Sequence, residues 1–217
     1  MEEEELIRFY KDRLRIFLIL FFFSEDYSDP ENSTLKKIFK SEIRIQAIDF
    51  LLRNPDYFAY ELLYFIKEGK VDADEVQPII KQIFRDKEPT IRKLEMEILF
   101  YGAYEDIDDV ISFLKSVGLI EYRSKVRRDM KVTGKEYYLT KDAIDKVEKN
   151  LRSIASVQWY IQRCELIKKY FGKITGSKLK ISQHKIDEYH NTAYGEHIKS
   201  ITKLVKEEYQ KQFGEVL

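Results

Sequence analysis

Residues Leu114 to Thr140 read LKSVGLIEYRSKVRRDMKVTGKEYYLT, and their order decides the fold. Val110, Phe113, Leu114 and Val117 recur at helical spacing, and Gly118 follows where a helix end needs a residue tolerant of the left-handed conformation. Leu119-Ile120-Glu121-Tyr122 begins a run of strand formers, a polar loop carries the chain away, and Glu136-Tyr137-Tyr138-Leu139-Thr140 brings it back. A helix thus leads into a β-hairpin. The hairpin's connecting stretch carries Arg123, Lys125, Arg127, Arg128, Lys131 and Lys135 against Asp129 alone. That concentration of positive charge lies in a chain with 38 Lys+Arg and 38 Asp+Glu.

Gly118-Leu119-Ile120 at the helix end, a basic loop, and Gly134-Lys135-Glu136-Tyr137-Tyr138-Leu139-Thr140 on the return strand together resemble the end of the winged-helix domain of MarR-like and PadR-like transcription regulators. Roughly thirty residues carry the likeness. It implies a winged helix-turn-helix core and double-stranded DNA as partner. Arg123, Lys125, Arg127, Arg128, Lys131 and Lys135 would then meet phosphates, and Ser112, Lys115 and Ser116 would approach the bases.

Composition sets the outer bounds. A chain of 217 residues with 44% hydrophobic and 35% charged residues, 8 Gly and 4 Pro buries a substantial core and is neither disordered nor of low complexity. It reads as mainly α with a small β-hairpin. The balanced charge gives no global attraction to nucleic acid, so any attraction is local. One cysteine, Cys164, excludes an intrachain disulfide framework and fits a reducing cytoplasm; on a helix it reads as a small buried hydrophobe. Little Gly with much Lys, Glu, Ile and Tyr resembles thermophile and archaeal usage. The run Phe17-Leu18-Ile19-Leu20-Phe21-Phe22-Phe23 is too short for a span of about 20 residues. The acidic start Met1-Glu2-Glu3-Glu4-Glu5 is unlike a signal peptide, so no membrane is expected.

Three segments follow from the punctuation: an N-terminal helix and polar loop over 1–33, a winged-helix domain with supporting helices over 34–142, and a helical region over 143–217. Within the second, helices are expected from Ser33 or Thr34 to about Arg53, over Tyr57–Glu68, from Asp72 or Asp74 to about residue 86 with Pro78 in its first turn, and from Pro89 to Gly102. A further one, Glu105 to Val117, leads into the hairpin. The last two would form the helix-turn-helix. In the third segment Ile144, Val147, Leu151, Ile154, Val157, Ile161 and Cys164 form one apolar stripe, predicting a continuous helix from Ala143 to Phe171, and a last helix spans Glu196 to Phe213. This stripe and Phe17–Phe23 exceed what one protomer is expected to hide, which predicts a homodimer with an interface above about 2,000 Å².

One feature opposes DNA. The helix before the wing begins Glu105-Asp106-Ile107-Asp108-Asp109, which phosphates repel. A winged-helix protein-interaction module within a larger assembly is therefore the rival expectation. His184, His190 and His197, with Asp187 among them, match no closed metal motif and read as surface histidines, so neither a metal nor a cofactor is expected. Gly172-Lys173-Ile174-Thr175-Gly176-Ser177-Lys178 lacks the phosphate-loop ending and follows a helix, and no catalytic motif occurs, so an enzyme is not expected. Control by a small effector is left open.

Overall fold

The computed structural model describes residues 3–99, 102–126, 130 and 132–217. In chain order its elements are α1 (Glu3–Phe23), β1 (Glu25–Asp26), β2 (Leu35–Lys40), α2 (Glu42–Arg53), α3 (Pro55–Lys67), α4 (Ala73–Arg85), α5 (Glu88–Ile91), β3 (Glu97–Leu99) and β4 (Gly102–Tyr104). There follow α6 (Asp108–Ser116), β5 (Ile120–Val126), β6 (Val132–Thr140), α7 (Lys141–Lys149), α8 (Ala155–Phe171), α9 (Gly176–Gln183), α10 (Asp187–His190) and α11 (Thr202–Phe213). The chain is mostly helical, with a four-stranded antiparallel sheet in the order β1-β2-β6-β5 and a separate β3-β4 hairpin. No helix among the described residues is long and apolar enough to cross a membrane. The chain divides into two compact units, Met1–Asp49 with Glu105–Leu179 and Phe50–Tyr104 with Lys180–Leu217.

In the first unit α1 packs along α8 and α6, and every residue from Ile16 to Phe23 is buried. The fold itself hides the run that was expected to need a second copy. Burial also takes in Arg15 and Asp49, each 1% exposed, whose side chains form an ion pair joined by Asp12 at 2.7 Å. Burial opposes the charge, yet the Asp49 and Asp12 carboxylates hold the Arg15 pKa above its ordinary value. Cys164 lies in the same core at 0% exposure, and burial pushes its thiol pKa up, which suppresses the thiolate.

Two expected helices of this unit are otherwise. The stretch expected to run as helix from 33 or 34 to 53 is strand β2 followed by α2, joined at Ser41 with φ 96°. Leu35, Ile38 and Phe39 suit either period, and the open edge of β6 decides, pairing Ile38 with Tyr138 and Phe39 with Tyr137. The expected continuous helix from Ala143 to Phe171 is α7, a 3-10 turn at Leu151–Ser153, and α8. The Ser153 hydroxyl donates to the Asn150 carbonyl and the Gln158 amide to that of Arg152, so side chains take over bonds the helix gives up, and Ile154 is exposed. Gly176 is required by close approach: a Cβ there would lie 2.6 Å from the Arg44 backbone nitrogen.

In the second unit α3 is buried on nearly every side, as its composition predicts, and packs on α4 and α11. Asp72 caps α4 by accepting from the Asp74 N–H at 3.0 Å. The helix starts at Ala73, so Pro78 is its sixth residue, past the first turn where it was expected. The expected helix from Pro89 to Gly102 lasts one turn, α5. The Arg53 guanidinium donates to the carbonyls of Leu94 and Glu95, and Leu94 N–H donates to Arg53 O at 3.0 Å, which draws the chain out before β3. Ile98 N–H then donates to Glu196 O and Ile198 N–H to Met96 O, both at 3.0 Å. Residues 196–198 are thereby committed to β3, and the last helix begins at Thr202 rather than Glu196. The helix-turn-helix expected from the segments flanking Gly102 is corrected by the same facts, because a β-hairpin, not a helix, precedes α6.

Asp56 secures the entry to α11, accepting from the Ser200 hydroxyl at 2.6 Å and the Ile201 N–H at 2.8 Å. Glu61 on α3 is buried and accepts from the Ser182 hydroxyl at 2.8 Å; burial raises its pKa. A carboxyl whose folded pKa is raised stabilises fully below its unfolded pKa and loses that contribution as pH rises through the folded value. Glu61→Gln keeps an acceptor for Ser182 without the charge. The variant is expected to be the more stable at pH 8 and to match the wild type near pH 4, as denaturant titrations at the two pH values would read.

Candidate nucleic-acid interface

The face begins at α6. Val110, Ile111 and Leu114 are buried, which leaves Asp108, Asp109, Ser112, Lys115 and Ser116 outward. The helix is closed by both bonds of a Schellman motif, Leu119 N–H to Leu114 O at 3.0 Å and Gly118 N–H to Lys115 O at 2.9 Å. Gly118 sits at φ +72° with open space around its Cα, so backbone conformation alone demands glycine there. Leu119 and Ile120 turn back into the core, and Ile120 pairs with Leu139, Tyr122 with Tyr137 and Arg123 with Glu136 along the hairpin. Beyond Ile120 the burial of β5 falls away, and Arg123 to Val126 stand exposed.

Strand alternation divides the cations between two faces. Lys135 lies on the side of α6 and α2, where its ammonium meets Asp108 at 2.9 Å and Glu42 at 3.2 Å. Hydrogen bonding to Asp108 raises its pKa. On the opposite face Arg123 binds Asp29 at 2.8 Å and lies over the Tyr138 ring at 4.6 Å. The Asp29 carboxylate accepts from the backbone N–H groups of Glu31 and Asn32 as well, and with the Glu31 bond leading, these hold its pKa below the usual range. Lys125 meets Glu136 diagonally at 2.8 Å and lowers its pKa, while the Tyr138 hydroxyl donates to the same carboxylate and is pushed up, by burial first, to about 12. Lys115 on α6 meets Glu121 at 3.1 Å and the Tyr122 ring at 5.0 Å. The Ser116 hydroxyl donates to the Phe113 carbonyl, and Ser112 is exposed.

Four of the expected contact cations, Lys115, Arg123, Lys125 and Lys135, therefore each face a carboxylate. Arg127, Arg128 and Lys131 lie outside the described residues. Sequence reasoning missed Asp29 and Glu42 as partners of this face. Asp29 carries a signal in Asp-Pro-Glu-Asn, a turn in which an aspartate accepts from following N–H groups, but nothing in that turn points to Arg123. Exposed apolar groups share the hairpin: Tyr122, Val126 and, at its turn, Met130.

The histidines belong to the second unit. The rings of His184 and His190 lie 6.4 Å apart, with Tyr189 4.9 Å from His184, and His197 stands between the carboxylates of Glu95 and Glu97 at 3.4 and 3.6 Å. Among the described residues no group of three or more His, Cys, Asp or Glu is placed to hold a metal ion. Comparison of the chain with protein-family models, with curated proteins and with solved structures finds no match in any of the three.

Proposed function

We propose that the first unit is a winged-helix domain and that the protein binds double-stranded DNA, led by its wing, as a transcription regulator. The observation that carries this reading is topological. Helix α1, strand β2, helices α2 and α6, then the β5-β6 hairpin follow in winged-helix order, and β2 pairs with β6 so that the sheet runs β2-β6-β5. The helix-turn-helix pair becomes α2 and α6, with residues 54–107 interposed in the sequence. The wing rather than α6 leads, because between Lys125 and Lys135 the sequence sets five basic residues against Asp129, whereas α6 opens on Asp108 and Asp109. The ion pairs of this face do not bar phosphates: the cations Lys115, Arg123 and Lys125 are themselves exposed, the pair of Lys115 with Glu121, open on both sides, contributes about 0–1 kcal/mol, and phosphates can compete with the carboxylates. Anisotropy of a random duplex across a salt series tests the reading, with binding expected at low salt and a linear fall of log K with log salt; no binding at 20 mM salt would overturn it.

The four carboxylate-held cations and the exposed Tyr122, Val126 and Met130 favour a second reading, a winged-helix module that docks a protein in a larger assembly. Asp108→Asn separates the two. Removing this carboxylate leaves Lys135 with Glu42 alone and adds positive charge to the face. In the DNA reading affinity should rise, by up to about tenfold at 0.1 M salt, the worth of about one phosphate contact. Unchanged or weakened duplex binding would favour the protein-docking reading.

A further inference from the structure

Between Glu165 and Asp187 the sequence places six Lys and neither Asp nor Glu, in a chain whose charges otherwise balance. The first unit carries the front of this stretch, which comprises the end of α8, the turn at 172–175 and the start of α9. Lys168, Lys173 and Lys178 stand exposed there, and none enters an ion pair among the described residues. That separates them from the hairpin face, where Lys115, Arg123, Lys125 and Lys135 each meet a carboxylate. The turn is held from several directions. Ile174 N–H donates to Phe171 O at 2.9 Å and Leu179 N–H to Thr175 O at 3.0 Å, while the Arg44 guanidinium of α2 donates to Gly172 O. Gly176 lets the Arg44 backbone approach closer than any side chain there would. Burial lowers the Arg44 pKa, and the charge of Glu25 opposes this. The lysine heads thus rise from a fixed backbone.

We propose that this turn is a second phosphate-contact surface, by which Lys168, Lys173 and Lys178 hold the backbone of the same duplex that the wing holds. The inference rests on the duplex reading of the first unit. Charge and surface chemistry select the occupant. These ammonium groups have no carboxylate to give up, so a phosphate meets their full attraction, and its counterions are released. Exposed Thr175 and Ser177 add hydroxyls of the kind that donate to phosphate oxygens. No large apolar or aromatic side chain between Leu166 and Lys180 is exposed, which leaves nothing to stack on unpaired bases, to enter a bilayer or to anchor a protein. The start of α2 sets the surface beside the wing. Glu42 meets Lys135 of the wing strand at 3.2 Å, and Arg44, two residues on and so about 200° round the helix, holds the turn. Wing and turn therefore flank one helix end, and a duplex crossing that end meets cations on both sides. The turn adds affinity and fixes orientation without reading bases.

Lysine reactivity and a salt series test this on the full chain. With saturating random duplex at low salt, acetylation of Lys173 and Lys178 by an N-hydroxysuccinimide ester, read by mass spectrometry, should slow severalfold. Lys203 of the second unit, 93% exposed, should react at the same rate with and without DNA. Lys173→Ala combined with Lys178→Ala should weaken duplex binding by more than about tenfold at 0.1 M salt and lower the slope of log K against log salt by about 1.8, two contacts at about 0.9 each. Lys173→Arg with Lys178→Arg should keep both values, since the charge is kept. Adding Arg127→Ala and Arg128→Ala to the alanine pair should lower the slope by about 1.8 again, because the two surfaces take different phosphates. Unchanged affinity, slope and acetylation on a duplex that the wild type does bind would overturn this surface and leave the wing standing. Absence of wild-type binding at about 20 mM salt would overturn both. Protection of the lysines by vesicles containing phosphatidylserine, with none by duplex, would make this a membrane-facing surface and overturn the proposal as well.

Discussion

Asp49→Ala is expected to destabilise the protein by about 3–5 kcal/mol, because it strands the Arg15 guanidinium, 1% exposed, in an apolar core with only Asp12 beside it. In the variant burial still opposes the charge and Asp12 alone offsets it, while a guanidinium does not shed its proton in a protein, so the charge stays in place short of a carboxylate. For a chain of this length the loss corresponds to a fall in Tm on the order of 10 °C. The large effect does not make the pair a net source of stability. Desolvating two ions costs about as much as their attraction returns, so Arg15→Met combined with Asp49→Leu should recover most of the loss. Denaturant titration of the three variants decides: a single mutant within about 1 kcal/mol of wild type would show that water reaches Arg15.

The second large effect concerns function. Replacing Arg127 and Arg128 together by alanine should lower duplex affinity about 50-fold at 0.1 M salt and reduce the slope of log K against log salt by about 1.8, two phosphate contacts at about 0.9 each. Sequence preference should persist, since phosphate contacts position a protein while base contacts specify. Lys115→Ala with Ser116→Ala should act in the opposite sense, eroding preference with little change of slope, if α6 follows the wing into the groove. A double arginine variant that binds with wild-type affinity and slope would remove the wing as a DNA contact and leave protein docking as the reading of this face.

Local chemistry alone determined the most legible elements. Gly118 ends α6 because an L side chain is strained at φ +72°, Thr140 caps α7 by accepting from the Ala143 N–H, and two runs of strand formers around a polar loop form a hairpin. Each depends on residues within a turn or two of one another. Partners distant in sequence decided the rest. Leu35, Ile38 and Phe39 satisfy a helical and a strand period alike, and only the edge of β6, about a hundred residues on, selects the strand. Glu97–Leu99 becomes a strand because Gly102–Tyr104 pairs with one edge and residues 195–198, a hundred residues on, bond the other, which also delays the last helix. The interface divides in the same way. Its cations were legible as a cluster, but of the carboxylates that hold them only Glu121 and Glu136 belong to the hairpin, while Asp29, Glu42 and Asp108 come from three other segments. Charge counts along a chain register composition, and pairing across a fold registers distance. The apolar run Phe17–Phe23 shows the same limit from the other side: hydrophobicity determined that it would be covered, and only the packing of α1 against α8 and α6 decided that the chain's own helices would cover it.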